Sequence, residues 1–262
     1  MTNILAFNPE SYYFFFLIII RVSGIFLTAP VLSSENVPRM LRIYLALLCA
    51  LILFSVLPQT NIIFSTLNTV DYFLLALKEL MIGLLLGVIP RIMFAAIDFA
   101  GTMTGFLMGL SIANVVDPQT DVQVSIIASL EGLLATLLFI VIDGHHMFFE
   151  VLSYSYQEIP IGGFLFSGNK IDFLLRITAD LFIIGLKLGA PLIVSLLLAN
   201  IIMGFMARSI PQMNVFIVGF PFTIGLGLIF LIVGMPHLIR AMEQLFGKMG
   251  EQIINLIQIM AK

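Results

Sequence analysis

The sequence has little charge. Of its 262 residues, 10% are Asp, Glu, Lys or Arg, 60% are hydrophobic, and the mean hydropathy is +1.13. About a quarter of the residues of a soluble domain are charged, so this chain has too little charge to cover a globule of its size. The composition therefore predicts a membrane-associated protein. The net charge of −3 and the lack of a dense basic run give no reason to expect nucleic-acid binding.

Cysteine is nearly absent. Cys49 is the single cysteine, which excludes an internal disulfide, and its apolar surroundings predict a buried small hydrophobe. The N terminus lacks the basic region of a cleavable signal peptide, and Arg21 interrupts its apolar stretch. Residues 12–31 are therefore predicted to form a retained helix.

Catalytic and metal-binding motifs are also missing. In DGHHMFFE (143–150), His146 and Glu150 are four residues apart, but there is no H-E-x-x-H and no second ligand cluster. This segment is predicted to be a polar turn between helices. GGFLFSGNK lacks the Lys-Ser/Thr pair of a phosphate loop, and no G-x-S-x-G is present. The sequence predicts no enzyme, no cofactor and no metal site.

Long apolar runs dominate what is present. They are continuous instead of alternating, which favours helices over a barrel and predicts an all-α membrane bundle of broken helices and hairpins. A perpendicular span needs about 20 apolar residues, and several runs are shorter. Gly189-Ala190-Pro191 is predicted to kink or split the long region 173–206. The runs cover approximately 12–31, 43–57, 72–89, 92–116, 124–142, 146–153, 173–189, 191–206, 213–233 and 238–260.

Charged residues interrupt nearly every apolar run. Because a charge facing lipid costs about 2.5 kcal/mol or more, these side chains should face protein, water or a partner subunit. Arg176, Asp180 and Lys187 fall on one helical face, which predicts a self-neutralising stripe that joins helices; a proton or ion relay is the alternative. The full set is Arg21, Lys78, Glu79, Asp98, Glu131, Arg176, Asp180 and Lys187.

Glycines recur at four-residue spacing near the middle of the chain. Gly101, Gly105 and Gly109 lead to Ala113, and Gly185 and Gly189 repeat the pattern, which is typical of close helix packing. Each glycine also weakens a helix by about 1 kcal/mol relative to alanine. Residues 105–116 are therefore candidates for irregular backbone, which a membrane tolerates only inside protein or beside water.

Five motifs occur in a specific order over essentially the whole chain. They are RVSGIFLTAPVLSSENVP, GLLLGVIPRIMFAAIDFAGTMTGFLMGLSIANVVDPQT, DGHH, IPIGG and PQMNVFIVGFPFTIGLGL. This set closely resembles the FliR/SctT family of the type III secretion export gate. The form of DPQT and PQMNVFIVGFP favours the flagellar branch over the injectisome branch.

The resemblance implies a non-enzymatic subunit of an export channel in the bacterial inner membrane, multi-pass and located at the flagellar basal body. The implied partners are FliP-like and FliQ-like subunits, an FlhB-like subunit and unfolded export substrates. Residues 1–187 would form a FliP-like part that includes a plug loop, and residues 188–262 a FliQ-like hairpin with a C-terminal helix. The hairpin would cover about 191–236, with its turn at Arg208, Pro211, Gln212 and Asn214.

Family members also contribute a loop that plugs the channel. The matching residues here are Phe106, Met108, Gly109, Leu110, Ser111, Ile112, Ala113, Val115, Val116, Asp117 and Pro118.

Two other classes of function remain open on the residues alone. An ion-coupled polytopic transporter would use the intramembrane charges, but it usually shows paired internal repeats, and none is convincing here. An intramembrane enzyme would have to rely on Asp98, Asp143, His145 and His146.

Overall fold

All regular elements in the described residues are α-helices. The computed structural model describes residues 9–33, 37–57, 68–110, 125–164, 168–210 and 215–261. The all-α prediction from the continuous apolar runs is confirmed. The helices are α1 (Pro9–Thr28), α2 (Pro30–Ser33), α3 (Arg39–Val56), α4 (Thr69–Leu107), α5 (Ile126–Val141), α6 (Gly144–Glu158), α7 (Gly168–Ser209) and α8 (Val215–Ala261).

Five of these helices are long and apolar enough to cross a membrane. They are α1, α3, α4, α7 and α8, and the bent pair formed by α5 and α6 would supply a sixth span. Length and composition therefore agree with the multi-pass prediction.

The three longest helices continue through their prolines. α4 contains Pro90, α7 contains Pro191, and α8 contains Pro221 and Pro236. The split predicted at Gly189-Ala190-Pro191 is wrong as a helix boundary, because α7 runs unbroken from Gly168 to Ser209. Membrane helices tolerate proline where neighbouring groups satisfy the backbone. Pro191 has no amide hydrogen to donate to the carbonyl of Lys187, and Ser195 Oγ adds a bond one turn further along by donating to the Pro191 carbonyl over 2.7 Å.

The chain divides into two compact units, and the first draws on three stretches, 1–91, 145–175 and 249–262. Within it α1 packs on both α3 and α4. The rings of Phe14 and Phe54 are 5.9 Å apart, and those of Tyr13 and Tyr72 are 5.1 Å apart. A Cβ added at Gly24 would lie 2.9 Å from the Cα of Gly83, so α1 and α4 meet backbone to backbone.

The end of α8 completes the first unit. Ile253, Leu256 and Ile257 are fully buried there. The buried Lys170, near the start of α7, donates to the carbonyl of Met260 over 3.0 Å. Such a bond satisfies one of the carbonyls that the last turn of a helix leaves without a partner.

The second unit comprises residues 92–144 and 176–248. Phe94, Phe139 and Phe246, on α4, α5 and α8, form one aromatic cluster with centroid distances of 5.3–5.8 Å. A Cβ at Gly234 on α8 would lie 3.3 Å from Leu192 Cδ1 on α7. These two residues are equally far along the chain from residue 213, as expected for facing positions on the two helices of a hairpin.

Candidate functional site

α4 ends in a glycine cap directly before residues 111–124. Gly109 adopts a left-handed backbone conformation with φ of 84°. The amide of Leu110 donates to the carbonyl of Gly105 over 3.1 Å, and the amide of Gly109 donates to that of Phe106 over 3.0 Å. These two bonds define a Schellman motif, which satisfies carbonyls at a helix end. The chain is therefore fixed where it leaves α4.

Position 109 also has no room for a side chain. A Cβ added there would lie 2.6 Å from Cδ1 of Phe220, which belongs to α8. Glycine is thus required twice, by the left-handed backbone and by the ring that packs on it.

Two neighbouring helices bind the carbonyls at this end of α4. Asn200 of α7 donates through Nδ2 to the carbonyl of Leu107 over 3.1 Å. Oγ1 of the buried Thr223 of α8 lies 3.0 Å from the carbonyl oxygen of Met108, to which it can donate, and 3.1 Å and 3.2 Å from those of Gly219 and Phe220 in its own helix. The last carbonyls of a helix have no partner within the helix, so these side chains supply what α4 lacks.

Met108 supplies the apolar contacts at this end of α4. Together with the glycine cap and the two side-chain bonds, it forms the first anchor of segment 111–124. Its side chain is fully buried in a cluster with Ile127, Leu192, Leu196 and Leu231. Gly227 leaves the space for it, because a Cβ there would lie 2.6 Å from Met108 Cγ. Met108 therefore points into the second unit and holds the end of α4 in place.

Ser125 forms the anchor on the other side of residues 111–124. It is the N-cap of α5 and its Oγ accepts from the amide of Ala128 over 3.4 Å. The same Oγ donates to the carbonyl of Gly101 over 3.4 Å, and it occupies the space that a side chain at Gly105 would need. Both ends of segment 111–124 are thus fixed on the last turns of α4.

Apolar side chains are exposed beside the two anchors. Phe106 is 66% exposed on α4, and Ile126 is 70% exposed in the first turn of α5. Met103, one turn before Phe106, is also exposed. This surface can receive a further apolar group.

The predicted plug residues divide into two groups. Phe106, Met108, Gly109 and Leu110 lie in the last turn of α4 and its cap. The others lie outside the described residues: Ser111, Ile112, Ala113, Val115, Val116, Asp117 and Pro118.

The glycines predicted to pack lie at close helix contacts within the second unit. A Cβ at Gly101 would be 2.5 Å from the Cα of Ala128 on α5. A Cβ at Gly185 would be 2.7 Å from the carbonyl oxygen of Ala96, and one at Gly189 would be 3.5 Å from the Cβ of Ala100. The absent side chains therefore let α5 and α7 approach α4.

Arg21 is the centre of a buried polar network in the first unit. Its Nε forms an ion pair with Glu79 Oε2 at 2.6 Å, and both side chains are fully buried. Nη1 donates to the carbonyl and hydroxyl of Ser155, and Nη2 donates to the carbonyl of Ile159. The guanidinium also lies 3.9 Å from the ring centroid of Tyr156. Arg21 therefore ties α1 to α4 and to the end of α6.

The turn that contains IPIGG is held by the same network. The amide of Gly162 donates to Glu79 Oε1 over 3.1 Å, and Lys78 Nζ donates to the carbonyl of Gly162 over 3.3 Å. Gly162 has φ of 79°, a conformation that favours glycine. The roles of Ser155, Tyr156 and Gly162 were not apparent from the sequence.

The other predicted charges differ in exposure. Glu131 is buried, whereas Asp98, Arg176, Asp180 and Lys187 are exposed. Among the described residues, Arg176, Asp180 and Lys187 form no ion pair with one another, and the ion pair among the charges named above joins Arg21 to Glu79. Exposed pairs on one helix gain little free energy, which explains why their side chains need not meet. A contact with another subunit stays a prediction.

The two remaining polar turns coincide with helix ends. Asp143, with φ of 57°, lies between α5 and α6, and the rings of His145 and His146 that follow are 4.3 Å apart. Arg208 is exposed in the last turn of α7, where a positive charge interacts favourably with the helix dipole. The other predicted turn residues, Pro211, Gln212 and Asn214, lie outside the described residues.

Thr223→Val tests the polar bond at the end of α4. The variant keeps the shape of the side chain but leaves the Met108 carbonyl without its donor. We expect the free energy of unfolding to fall by about 0.5–2 kcal/mol, measured as a lower midpoint of thermal unfolding. Thr223→Ser keeps the hydroxyl and should be close to wild type. Equal midpoints for Thr223→Val and wild type would contradict a stabilising role.

The comparisons with known proteins agree with one another on the family. Residues 12–249 match the family described as bacterial export proteins, family 1. The chain is 36% identical to the flagellar biosynthetic protein FliR of Bacillus subtilis (strain 168) over 248 residues, which cover 94% of this chain and 95% of that protein. It is 32% identical to FliR of Escherichia coli (strain K12) over 240 residues, covering 91% and 90%. FliR of Aquifex aeolicus (strain VF5) is 31% identical over 227 residues, covering 86% of each chain.

Proposed function

Because this chain belongs to the bacterial export proteins of family 1, together with the FliR proteins it resembles, we propose that it is a structural and gating subunit of the flagellar type III export channel. Membership makes it a component of the flagellar export apparatus and, with its several long apolar helices, a multi-pass membrane protein. The finer proposal is that it lines the pore for unfolded subunits and closes that pore with segment 111–124.

The observation that carries the plugging proposal is the double anchor of segment 111–124. Gly109 fixes the chain where it leaves α4, and Ser125 fixes it where it returns to Gly101 and Gly105. A segment that is fixed at both ends to rigid helices can move out of a channel and back while the helices stay folded. Before Asp117 it carries four apolar side chains, those of Ile112, Ala113, Val115 and Val116, and a seal against ions needs such groups.

The anchors also refine the roles of the predicted plug residues. Met108 is fully buried and Gly109 caps α4, so in this proposal both position the plug and neither enters the pore. Phe106 is exposed beside the segment, and it is the described residue best placed to contact a plug or a passing substrate.

The proposed arrangement of partners follows the same family. Residues 1–187 would pack beside FliP-like subunits, and residues 188–262 would pack beside FliQ-like subunits, with an FlhB-like subunit at the assembled gate. Support comes from the exposed apolar side chains of the α7–α8 hairpin, such as Ile201, Phe205, Ile232 and Val233. The proposed location is the bacterial inner membrane at the flagellar basal body, and the proposed role needs neither a catalytic site nor a cofactor.

Replacing residues 111–116 with glycine tests the plug. Leu110 should be retained, because its amide completes the cap of α4. We expect a complex that still contains the FliP-like and FliQ-like proteins by mass spectrometry after purification, but that conducts small ions in planar bilayers when no substrate is present.

The matched control replaces residues 60–65, which lie between α3 and α4, with the same number of glycines. That complex should stay closed. A closed channel in both variants would rule out the plug, whereas failure of the chain to co-purify with FliP-like and FliQ-like proteins would rule out the proposed assembly.

A further inference from the structure

Glu131 is a buried acidic residue that the proposed plug does not use. It lies in the second turn of α5 and is 2% exposed. Its carboxyl lies over Gly101 of α4, since a Cβ added at Gly101 would be 3.1 Å from Glu131 Oε2. The glycine therefore provides the space that the carboxyl fills.

One oxygen of this carboxyl has no partner. Glu131 Oε2 is buried and has no hydrogen-bond partner among the described residues. The contrast is Glu79, whose carboxylate is also fully buried but receives Arg21 and the amide of Gly162. The described residues thus contain one buried carboxylate with full compensation and another buried carboxyl with an oxygen that has no hydrogen-bond partner.

The charges around Glu131 do not favour a negative carboxylate. Asp98, on the adjacent helix α4, is the charged group that acts on Glu131 electrostatically, and its charge has the same sign. None of the other ionisable groups on the helices of this unit forms an ion pair or hydrogen bond with Glu131. They are Arg176, Asp180, Lys187 and Arg208 on α7, and His237, Arg240, Glu243 and Lys248 on α8.

An ionised carboxylate in such a place costs more than the neutral acid. Burial without a partner penalises the charge by several kcal/mol, and a neighbouring negative charge adds to that penalty. We propose that Glu131 is a proton-binding site, occupied while α4 and α5 are in contact at Gly101 and Ala128, and emptied when that contact opens to water. The ligand is a proton taken from the aqueous phase.

The site is less than two turns from the anchor at Ser125. Ala128 lies against Gly101 and donates to Ser125 Oγ, so a negative charge at Glu131 would strain the contact that holds the second end of segment 111–124. Proton release is then linked to loosening of this anchor. The consequence for gating rests on the proposed plugging function, whereas the proton site does not.

Infrared difference spectroscopy can detect the proton directly. The full-length chain, purified with the subunits that accompany it, would be compared between neutral and alkaline pH. We expect the carbonyl band of a protonated carboxylic acid at neutral pH, lost at alkaline pH. The band should be missing in Glu131→Gln and present in Glu243→Gln, which changes an exposed acid on α8. Glu131→Asp, which keeps a carboxyl, should show a shifted band.

Three results would overturn the proposal. They are a wild-type spectrum without the band, a band that persists in Glu131→Gln, and a band removed at constant pH by adding sodium ions, which would assign the site to a metal cation. If Glu131→Gln does not assemble, the wild-type and Glu131→Asp spectra decide alone, because an unshifted band would exclude Glu131 as its source. A wild-type complex that conducts ions without substrate at neutral pH but shows the band would count against the plug and leave the proton site standing.

Discussion

Arg21→Met is expected to lower the free energy of unfolding by about 3–5 kcal/mol and to prevent the chain from accumulating in the membrane. The substitution leaves Glu79 as a fully buried carboxylate without its cation. It also removes the donors to Ser155 and Ile159, so three helices lose a shared contact. The measurements are the amount of folded protein in membranes and the midpoint of thermal unfolding after purification.

Two further variants separate the charge from the packing. Adding Glu79→Gln to Arg21→Met removes the unpaired charge and should recover part of the stability. Arg176→Met changes an exposed arginine and should be close to wild type. If Arg21→Met accumulates and unfolds like Arg176→Met, the buried ion pair does not determine the stability of the first unit.

Gly109→Val is expected to have the second largest effect. A valine in a left-handed conformation costs about 1–2 kcal/mol, and overpacking against Phe220 adds about 1–3 kcal/mol. The end of α4 would then lose its cap, and with it the position of segment 111–124. We expect a lower unfolding midpoint together with ion leakage through the assembled channel.

The matched control is Gly132→Val, because a Cβ at Gly132 meets nothing within 4 Å. That variant should remain closed. Gly109→Asn tolerates the left-handed backbone but still meets Phe220, so its effect separates backbone strain from crowding. A closed, stable Gly109→Val channel would show that the cap does not position the plug.

The helical class followed from the sequence, but the helix boundaries did not. Apolar runs without alternation predict helices, and helices form. Pro90, Pro191 and Pro236 are local signals for a break, yet each lies inside a continuous helix. A proline removes one backbone bond, while contacts with neighbouring helices, such as that of Gly189 on α7 with Ala100 on α4, hold the turns around it. Single-chain patterns do not contain that tertiary contribution.

For each contact in the candidate site, the sequence indicated only one of the two residues that meet. The spacing of Gly101 and Gly105 indicates that something approaches α4 closely. It does not indicate that Ala128 and Ser125 do so, since these residues are distant in sequence. Ser125 does carry a local signal, because a serine directly before an apolar run is a typical N-cap. Asn200 and Thr223 are isolated polar residues within apolar stretches of α7 and α8, and only their neighbours in space reveal what they bind.

The intramembrane charges illustrate the same limit. Their cost in lipid predicts that each one has a compensating environment, but not which one. Arg21 and Glu79 are 58 residues apart in the chain, and the fold brings them into contact. Arg176 and Asp180 are neighbours on one helix and do not pair, because water or a partner subunit can solvate an exposed charge.

The three stretches of the first unit have a consequence for the order in which the protein folds during synthesis. Residues 9–91 leave the ribosome early, but the unit also contains residues 145–175 and 249–261. The last stretch contributes Ile253, Leu256 and Ile257 to the buried interior, and its final carbonyls receive Lys170. The part of this unit that residues 249–261 cover therefore stays open until the last helix is synthesised, and until then it is exposed to aggregation or to chaperones. In this chain the part that is translated first is completed last.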